Sequence, residues 1–318
     1  MLILITILYF IFIIWLINGF NHISNNSFDE KSLSVSVIVS VKNEETNIQN
    51  LLNSISHQDY PIDCFEIIIA NDKSTDNTLG VLEKNKESIK NLKIININET
   101  PDDWSSKKWA LNQAIQESKG DIILQTDGDC IVGQKWINSM VSSFNNPGVG
   151  FVAGHTPFIS SSNNLIYNIL ELDNFSQDAF IGSCISKKIP LSCVGRSIGF
   201  RKKYFYDVNG YHNFKNEISG DDDLLMHRII YDKKCQIEYI VNQNSYVYTS
   251  PPKTIKEFIN QRLRYASKGK LYYNAFFINT ELRLILPFLF INNLFFVISL
   301  LSFCYNPKMI YFFPIVIK

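Results

Sequence analysis

The sequence predicts an α/β domain, an open and mainly parallel sheet with helices on both faces, flanked by transmembrane helices. Three observations carry this. Short β-branched runs recur without polar alternation, the pattern of strands buried on both faces. Segments of helical length separate them, an order that implies right-handed crossovers between parallel strands. Long charge-free runs stand near each end, although the whole chain is 46% apolar and 19% charged with a formal net charge of zero. That composition excludes a disordered chain. The balanced charge argues against a nucleic-acid binder held by general electrostatics. Six scattered cysteines (Cys64, Cys130, Cys184, Cys193, Cys235, Cys304) form no CxxC pair and read as free thiols, not a disulfide frame or zinc site.

Residues 1–19 begin MLILITILYFIFIIWLI, 17 apolar or near-apolar residues ahead of Asn18 and Gly19. As a helix they cover roughly 26 Å, just short of a hydrocarbon core of roughly 30 Å. A cleaved signal peptide competes with this, but no Lys or Arg precedes the run and bulky Ile, Trp and Leu fill its end. An uncleaved anchor is expected. SVSVIVSV (34–41) is the first strand; Lys42-Asn43-Glu44-Glu45 ends it and charges the first turn of a helix through about His57. FEIIIA (65–70) is the second strand and ends in Asn71-Asp72, with Ser74 or Thr75 placed to cap a helix to about Ile89. LKIININ (92–98) is the third. Trp104 to Ser118 is a helix stopped at Gly120, and DIILQT (121–126) is the fourth strand, delivering Asp127-Gly128-Asp129 to its carboxyl end.

Ligands of such sheets bind beyond the carboxyl ends of the strands, and three polar clusters fall there: 42–45, 71–76 and 127–129. Asp127 and Asp129 flank a glycine, so two hard oxygen ligands stand on a tight turn, as Mg²⁺ or Mn²⁺ sharing coordination with a phosphate would require. A turn with solvated acids remains the alternative. Asp221-Asp222-Asp223 follows Gly220 and precedes the helical stripe LLMHRII. Capping explains one acid at a helix start; three adjacent acids also repel one another and raise one pKa, which suits a general base. In TIKEFINQRLRYASKG (254–269), Ile255, Phe258, Ile259 and Leu263 recur at helical spacing, while Gln261, Arg264 and Tyr265 share a face. An Arg fork suits phosphate and the ring offers a stacking surface; an interfacial helix anchored by Arg and Tyr is the alternative. Arg196 and Arg201 could contact a substrate, but neither is singled out as a site residue. His155, His212 and His227 read as structural or solvated.

The chain divides into an anchor at 1–19, an α/β domain at 33–250, a basic interfacial region at 251–283 and a transmembrane helix at 284–305. Residues 306–318 read as the start of a further membrane segment or a dip into the interface. The second span is 22 residues without charge, interrupted by Pro287, Asn292 and Asn293; paired Asn in lipid is costly, so they are expected to face another helix. Residues 251–283 hold seven basic residues against Glu257 and Glu281, whereas 1–250 hold 21 basic and 28 acidic ones. The zero net charge is therefore an acidic domain offset by a basic collar, suited to an anionic lipid surface or substrate. Because basic residues follow the first span and none precedes it, the domain is expected in the cytoplasm, on a multi-pass protein of the cell membrane.

These residues resemble the family 2 glycosyltransferases of GT-A fold, in the membrane-attached branch with a QxxRW motif, over roughly residues 34–269. SVIVSVKNEE resembles that family's first strand and turn, EIIIANDKSTDNT its second, KKWALNQAI its K-x-x-A-x-N segment and DGD its DxD motif. GRSIGFRKKYFYDVNGY resembles the stretch leading to the acceptor, GDDDLLMHR the G-E-D-x-x-L segment and QRLRY the Q-R-x-R-W motif. Asp221 stands where Glu is usual. Tyr265 stands where Trp is usual, which weakens any implication of processive polymer synthesis.

The resemblance implies an inverting transfer from a nucleotide-sugar, a UDP-sugar in kind. Asp72 and Lys107 would lie near the base, and Asp127 and Asp129 would hold Mg²⁺ or Mn²⁺ and the donor diphosphate. Asp222 would be the catalytic base with Asp221 beside the acceptor, while Gln261, Arg264 and Tyr265 would close over the donor. The acceptor implied is lipid-linked or membrane-proximal, with the membrane itself a partner and nucleic acid none. A processive polysaccharide synthase and a non-catalytic, membrane-tethered nucleotide-binding protein on the same fold are the competing functions.

Overall fold

A computed structural model describes residues 2–23, 32–159 and 165–305; the segment expected at 306–318 lies outside them. Helix α1 (Leu2–Phe20) leads into β1 (Val35–Val41), α2 (Ile48–Ser56), β2 (Phe65–Asp72), α3 (Thr78–Lys86), β3 (Leu92–Ile97), α4 (Ser106–Gln116) and β4 (Ile122–Asp127). Then come β5 (Cys130–Val132), α5 (Trp136–Ser142), β6 (Val149–Gly154), α6 (Leu165–Ser186), β7 (Ile198–Arg201), α7 (Lys202–Asp207) and α8 (Asp223–Lys233). The chain continues through β8 (Gln236–Ile240), β9 (Val247–Thr249), α9 (Ile255–Ala266), α10 (Gly269–Asn274) and α11 (Thr280–Tyr305).

The main sheet runs β3-β2-β1-β4-β7-β6-β8. The β1–β2, β2–β3, β1–β4 and β6–β8 pairs are parallel, while β7 is antiparallel to both of its neighbours. The apolar runs explain why both faces are covered. On β1, Val35, Val37, Val39 and Val41 face one core with Ile48, Leu51, Leu52 and Ile55 of α2. Ile38 faces the other, with Ala110, Leu111, Ala114 and Ile115 of α4 and Leu224, Leu225 and Ile229 of α8. Strand residues alternate between two buried sides, so no polar alternation is visible in sequence.

Two local expectations need correction. Ser74 and Thr75 do not cap α3, whose N-cap is Asn77. Instead the Asn43 amide donates to Ser74 Oγ at 3.0 Å, and Asn43 Oδ1 accepts from the Thr75 amide at 2.8 Å, so the residues after β2 brace those after β1. The helix after β1 starts at Ile48, and residues 44–47 form a separate turn.

Two helices are long and apolar enough to cross a membrane, Ile3–Phe20 and Thr280–Tyr305. They meet, with Phe12 and Phe288 rings 5.6 Å apart. α1 also packs on α6; a Cβ on Gly19 would lie 2.6 Å from Ser183 O, so glycine permits the approach. Asn292 is buried, and its side-chain amide is satisfied within its own helix by Phe288 O at 2.8 Å. All six cysteines are free.

Candidate active site

Strand ends assemble the site. β4 stops at Asp127, and Gly128 turns the chain directly toward β5. A Cβ at Gly128 would lie 2.8 Å from Val41 Cγ1 and 3.1 Å from Glu44 Cγ, so the turn packs against the end of β1 only as glycine. Thr249 Oγ1, on β9, donates to Asp129 Oδ2 at 3.4 Å. Lys107, from the first turn of α4, sets its ammonium 2.9 Å from Asp127 Oδ1 and 3.0 Å from Asp221 Oδ2. One lysine thus joins the Asp-Gly-Asp turn to the acid triplet.

The triplet splits into three environments. Burial opposes ionisation of Asp221, but Lys107 and Lys108 outweigh it and hold the carboxyl at about 2. Asp223 is fully buried, yet Lys268 at 2.6 Å and the Tyr272 hydroxyl keep its pKa low. Asp222 meets Lys268 only at 3.9 Å. Burial, with Asp223 and Asp221 adding repulsion, pushes its carboxyl up to about 7. Asp222 is also the N-cap of α8: its Oδ1 accepts from the Asp223 amide at 2.7 Å and its Oδ2 from the Gly195 amide at 3.0 Å. Capping and a tuned carboxylate therefore coexist in one residue.

A cavity of about 560 Å³ opens in front of these groups. Asp127, Asp129, Lys107, Asp221 and Asp222 line it, and Gln261, Arg264 and Tyr265 of α9 form an opposite wall. Eight of the nine residues singled out in the sequence thus share one space. Asp72 does not line it; it is buried at the end of β2, accepts from Ser106 Oγ at 2.8 Å and lies 3.5 Å from Lys73 Nζ.

Sequence reasoning missed several participants. Glu44 lines the cavity, and burial followed by Asp129 and Asp127 raises its pKa against the opposing Asn47 hydrogen bond. Arg196 lines it too, with Nη2 donating to Thr156 Oγ1 at 3.0 Å and Asn174 Oδ1 at 3.4 Å. Arg201 instead ties backbone carbonyls of Val149 and Phe144, both at 2.8 Å. Lys108, buried and pushed down to about 8 by burial, donates to Glu217 O and to Ser219 O, fixing the loop before Gly220. Only the clustered Lys107-Lys108 pair hinted at it.

Asp127 and Asp129 fit a divalent cation of one kind. Among the described residues no group of three or more His, Cys, Asp or Glu converges as ligands. Two carboxylates beside an open cavity suit Mg²⁺ or Mn²⁺, which keep waters and share phosphate oxygens, and not a closed tetrahedral zinc site.

The mainly parallel sheet between helices has the GT-A type fold. A family model described as glycosyl transferase family 2 matches residues 36–208, more than half of the chain, and the chain belongs to that family. Glycosyltransferase AglE of Haloferax volcanii is 34% identical over 39% of this chain, a match spanning only 40% of that relative's length. A relative from Methanococcus voltae, 25% identical over 76% of this chain and 75% of its own, is named a dolichyl N-acetyl-glucosaminyl phosphate glucuronosyltransferase of the diacetamido-dideoxy type. Among solved structures, a mannosyltransferase from Pyrobaculum calidifontis, in complex with GDP-Man and Mn²⁺, superposes with a TM-score of 0.61 at 20% identity. That match covers 84% of this chain and 73% of the other.

Proposed function

We propose that the chain is an inverting, metal-dependent glycosyltransferase. It moves a sugar from a nucleotide-sugar, a UDP-sugar in kind, to a hydroxyl of a lipid-linked or membrane-proximal acceptor at the cytoplasmic face of the cell membrane. The spans at 1–19 and 284–305 hold the domain of 33–250 there, with the basic stretch 251–283 against the lipid headgroups. One observation carries this function. The cavity that holds Asp127, Asp129 and Asp222 continues to Leu282, Ile285, Leu286 and Leu289 on the first half of α11. Polar chemistry and an apolar wall leading to a span share one space. The Methanococcus relative, named for a dolichyl-phosphate acceptor, agrees with a lipid carrier.

Asp127 and Asp129 would hold the cation, which when bound would supply Lewis-acid stabilisation of charge on the departing diphosphate. Lys107 orients Asp127 and keeps Asp221 ionised. Arg264 and Gln261 bind donor phosphate oxygens, and Tyr265 stacks against the donor or acceptor. Asp222 removes the proton from the acceptor hydroxyl as that oxygen bonds to the anomeric carbon and the bond to the nucleoside diphosphate breaks, inverting the centre.

Membranes carrying the full chain, given Mn²⁺ and a panel of labelled nucleotide-sugars, are expected to release nucleoside diphosphate and to label an extractable lipid. Asp222→Asn should lower turnover by about 10²-fold or more while donor binding stays within a few-fold. Turnover retained in that variant removes Asp222 from the base role. Donor bound but never consumed by the unaltered chain identifies a binding protein instead.

A further inference from the structure

Asp223 and Lys268 are buried, oppositely charged, and unused by the reaction above. Asp223 is fully buried and Lys268 nearly so. The ammonium of Lys268 lies 2.6 Å from Asp223 Oδ2 and 3.9 Å from Asp222 Oδ1, and the Tyr272 hydroxyl donates to the same Asp223 oxygen. Asp223 is the first residue of α8, whereas Lys268 and Tyr272 come from the α9–α10 segment. Arg283, in the first turns of α11, donates to Tyr272 O at 3.1 Å and Ala275 O at 2.6 Å. A continuous set of contacts therefore runs from the acid triplet to the start of the second span.

We infer that Lys268 is a positioning residue for Asp222: it neutralises the outer carboxylate Asp223, leaves the middle one as the base, and ties that base to the membrane-side helices. This rests on Asp222 being the base. A buried charge without a partner is costly, so Asp223 is tolerated there because Lys268 accompanies it. Lys107 performs the same service for Asp221 from the opposite side, at 3.0 Å. Of three adjacent carboxylates, only the central one lacks a lysine at hydrogen-bond distance, and it alone is left to exchange a proton near neutrality. The charged and titratable groups acting on Asp222 are Lys268 and Tyr272 from α9–α10, Asp221 and Asp223 on either side, Lys108 from α4, Cys193 ahead of β7, and Tyr211.

The signs of two single substitutions test this. Lys268→Met removes an attraction, so the acid limb of kcat/KM against pH should move up by roughly one unit. Activity should return to within a few-fold of the unaltered chain on the alkaline side. Asp223→Asn removes a repulsion and frees Lys268 toward Asp222, so the limb should move down. The double variant loses both charges together and should return close to the original limb, which keeps the test open if either single variant fails to fold. The assay is nucleoside diphosphate release by membranes carrying the full chain, with Mn²⁺ and the most active sugar of a UDP- and GDP-sugar panel. A uniform loss at every pH, or two singles shifting in the same direction, overturns the inference and leaves a purely structural pair. Turnover surviving in Asp222→Asn with its acid limb unmoved overturns the base assignment itself.

Discussion

The base role proposed for Asp222 rests on what surrounds it more than on its place in a motif. Its carboxyl, pushed up to about 7 by burial and by two neighbouring carboxylates, must be ionised to accept a proton. As pH falls through 7 the carboxyl becomes protonated, so kcat/KM should drop about tenfold per unit below the limb. A profile flat down to pH 5 would sink this. Gly220 is equally constrained: its φ is +91°, and a Cβ would lie 2.3 Å from Leu224 Cδ1. Gly220→Ala should lower the melting temperature by roughly 5–10 °C and displace the start of α8, measurable by thermal unfolding of the detergent-solubilised chain. Asp127, Asp129 and Asp222 could be picked out in sequence as candidates because a strand end or glycine announces each, and the structure brings them to one cavity. Lys268 was not picked out, because its meaning lies in a partner 45 residues away.

The strands of the first half were legible to within about two residues, since an unbroken β-branched run has few alternatives. β7 was not: IGFR is short, and its antiparallel place between β4 and β6 depends on long-range pairing. Helix starts were read less well, because Ser74 and Thr75 are held by Asn43 across the sheet edge, a tertiary contact that overrides local capping preference. α9 was read from its spacing as a helix of a basic interfacial region. Its apolar positions recur at helical spacing, yet Ile255, Ile259 and Leu263 are 78%, 50% and 64% exposed. The opposite wall, with Gln261 and Arg264, faces the cavity. An apolar face left uncovered on the same molecule as two helices long and apolar enough to cross a membrane suits a helix lying in the headgroup region. Spin labels at Ile259→Cys and Leu263→Cys, in a Cys304→Ser background reconstituted in bilayers, should be more accessible to oxygen than to a water-soluble nickel chelate. Equal or reversed accessibility places the helix in water.

Across the whole molecule, zero net charge and balanced hydropathy are cancellations, and the structure shows where their parts meet. Asp221 and Asp222 of the acidic triplet, residues of the basic α9–α10 segment and Leu282, Ile285, Leu286 and Leu289 of α11 line one cavity. The two long apolar helices were legible from charge-free length, but the junction of α11 with the site was not, because a cavity wall drawn from α6, α9 and α11 leaves no continuous trace in sequence. This junction makes the nature of the acceptor testable without altering the polar site. Leu286 is half-buried on α11 and lines the apolar arm, away from Asp127 and Asp129 in the chain. Leu286→Trp fills that arm while keeping the span apolar. If the acceptor's tail occupies the arm, KM for an extracted lipid acceptor should rise by about tenfold, equivalent to about 1.4 kcal/mol of lost binding, with nucleotide-sugar binding unchanged. If the acceptor instead reaches Asp222 from the aqueous side, as a growing polysaccharide does, the substitution leaves KM unmoved. Kinetics with lipid and water-soluble acceptors on the same preparation separate the two.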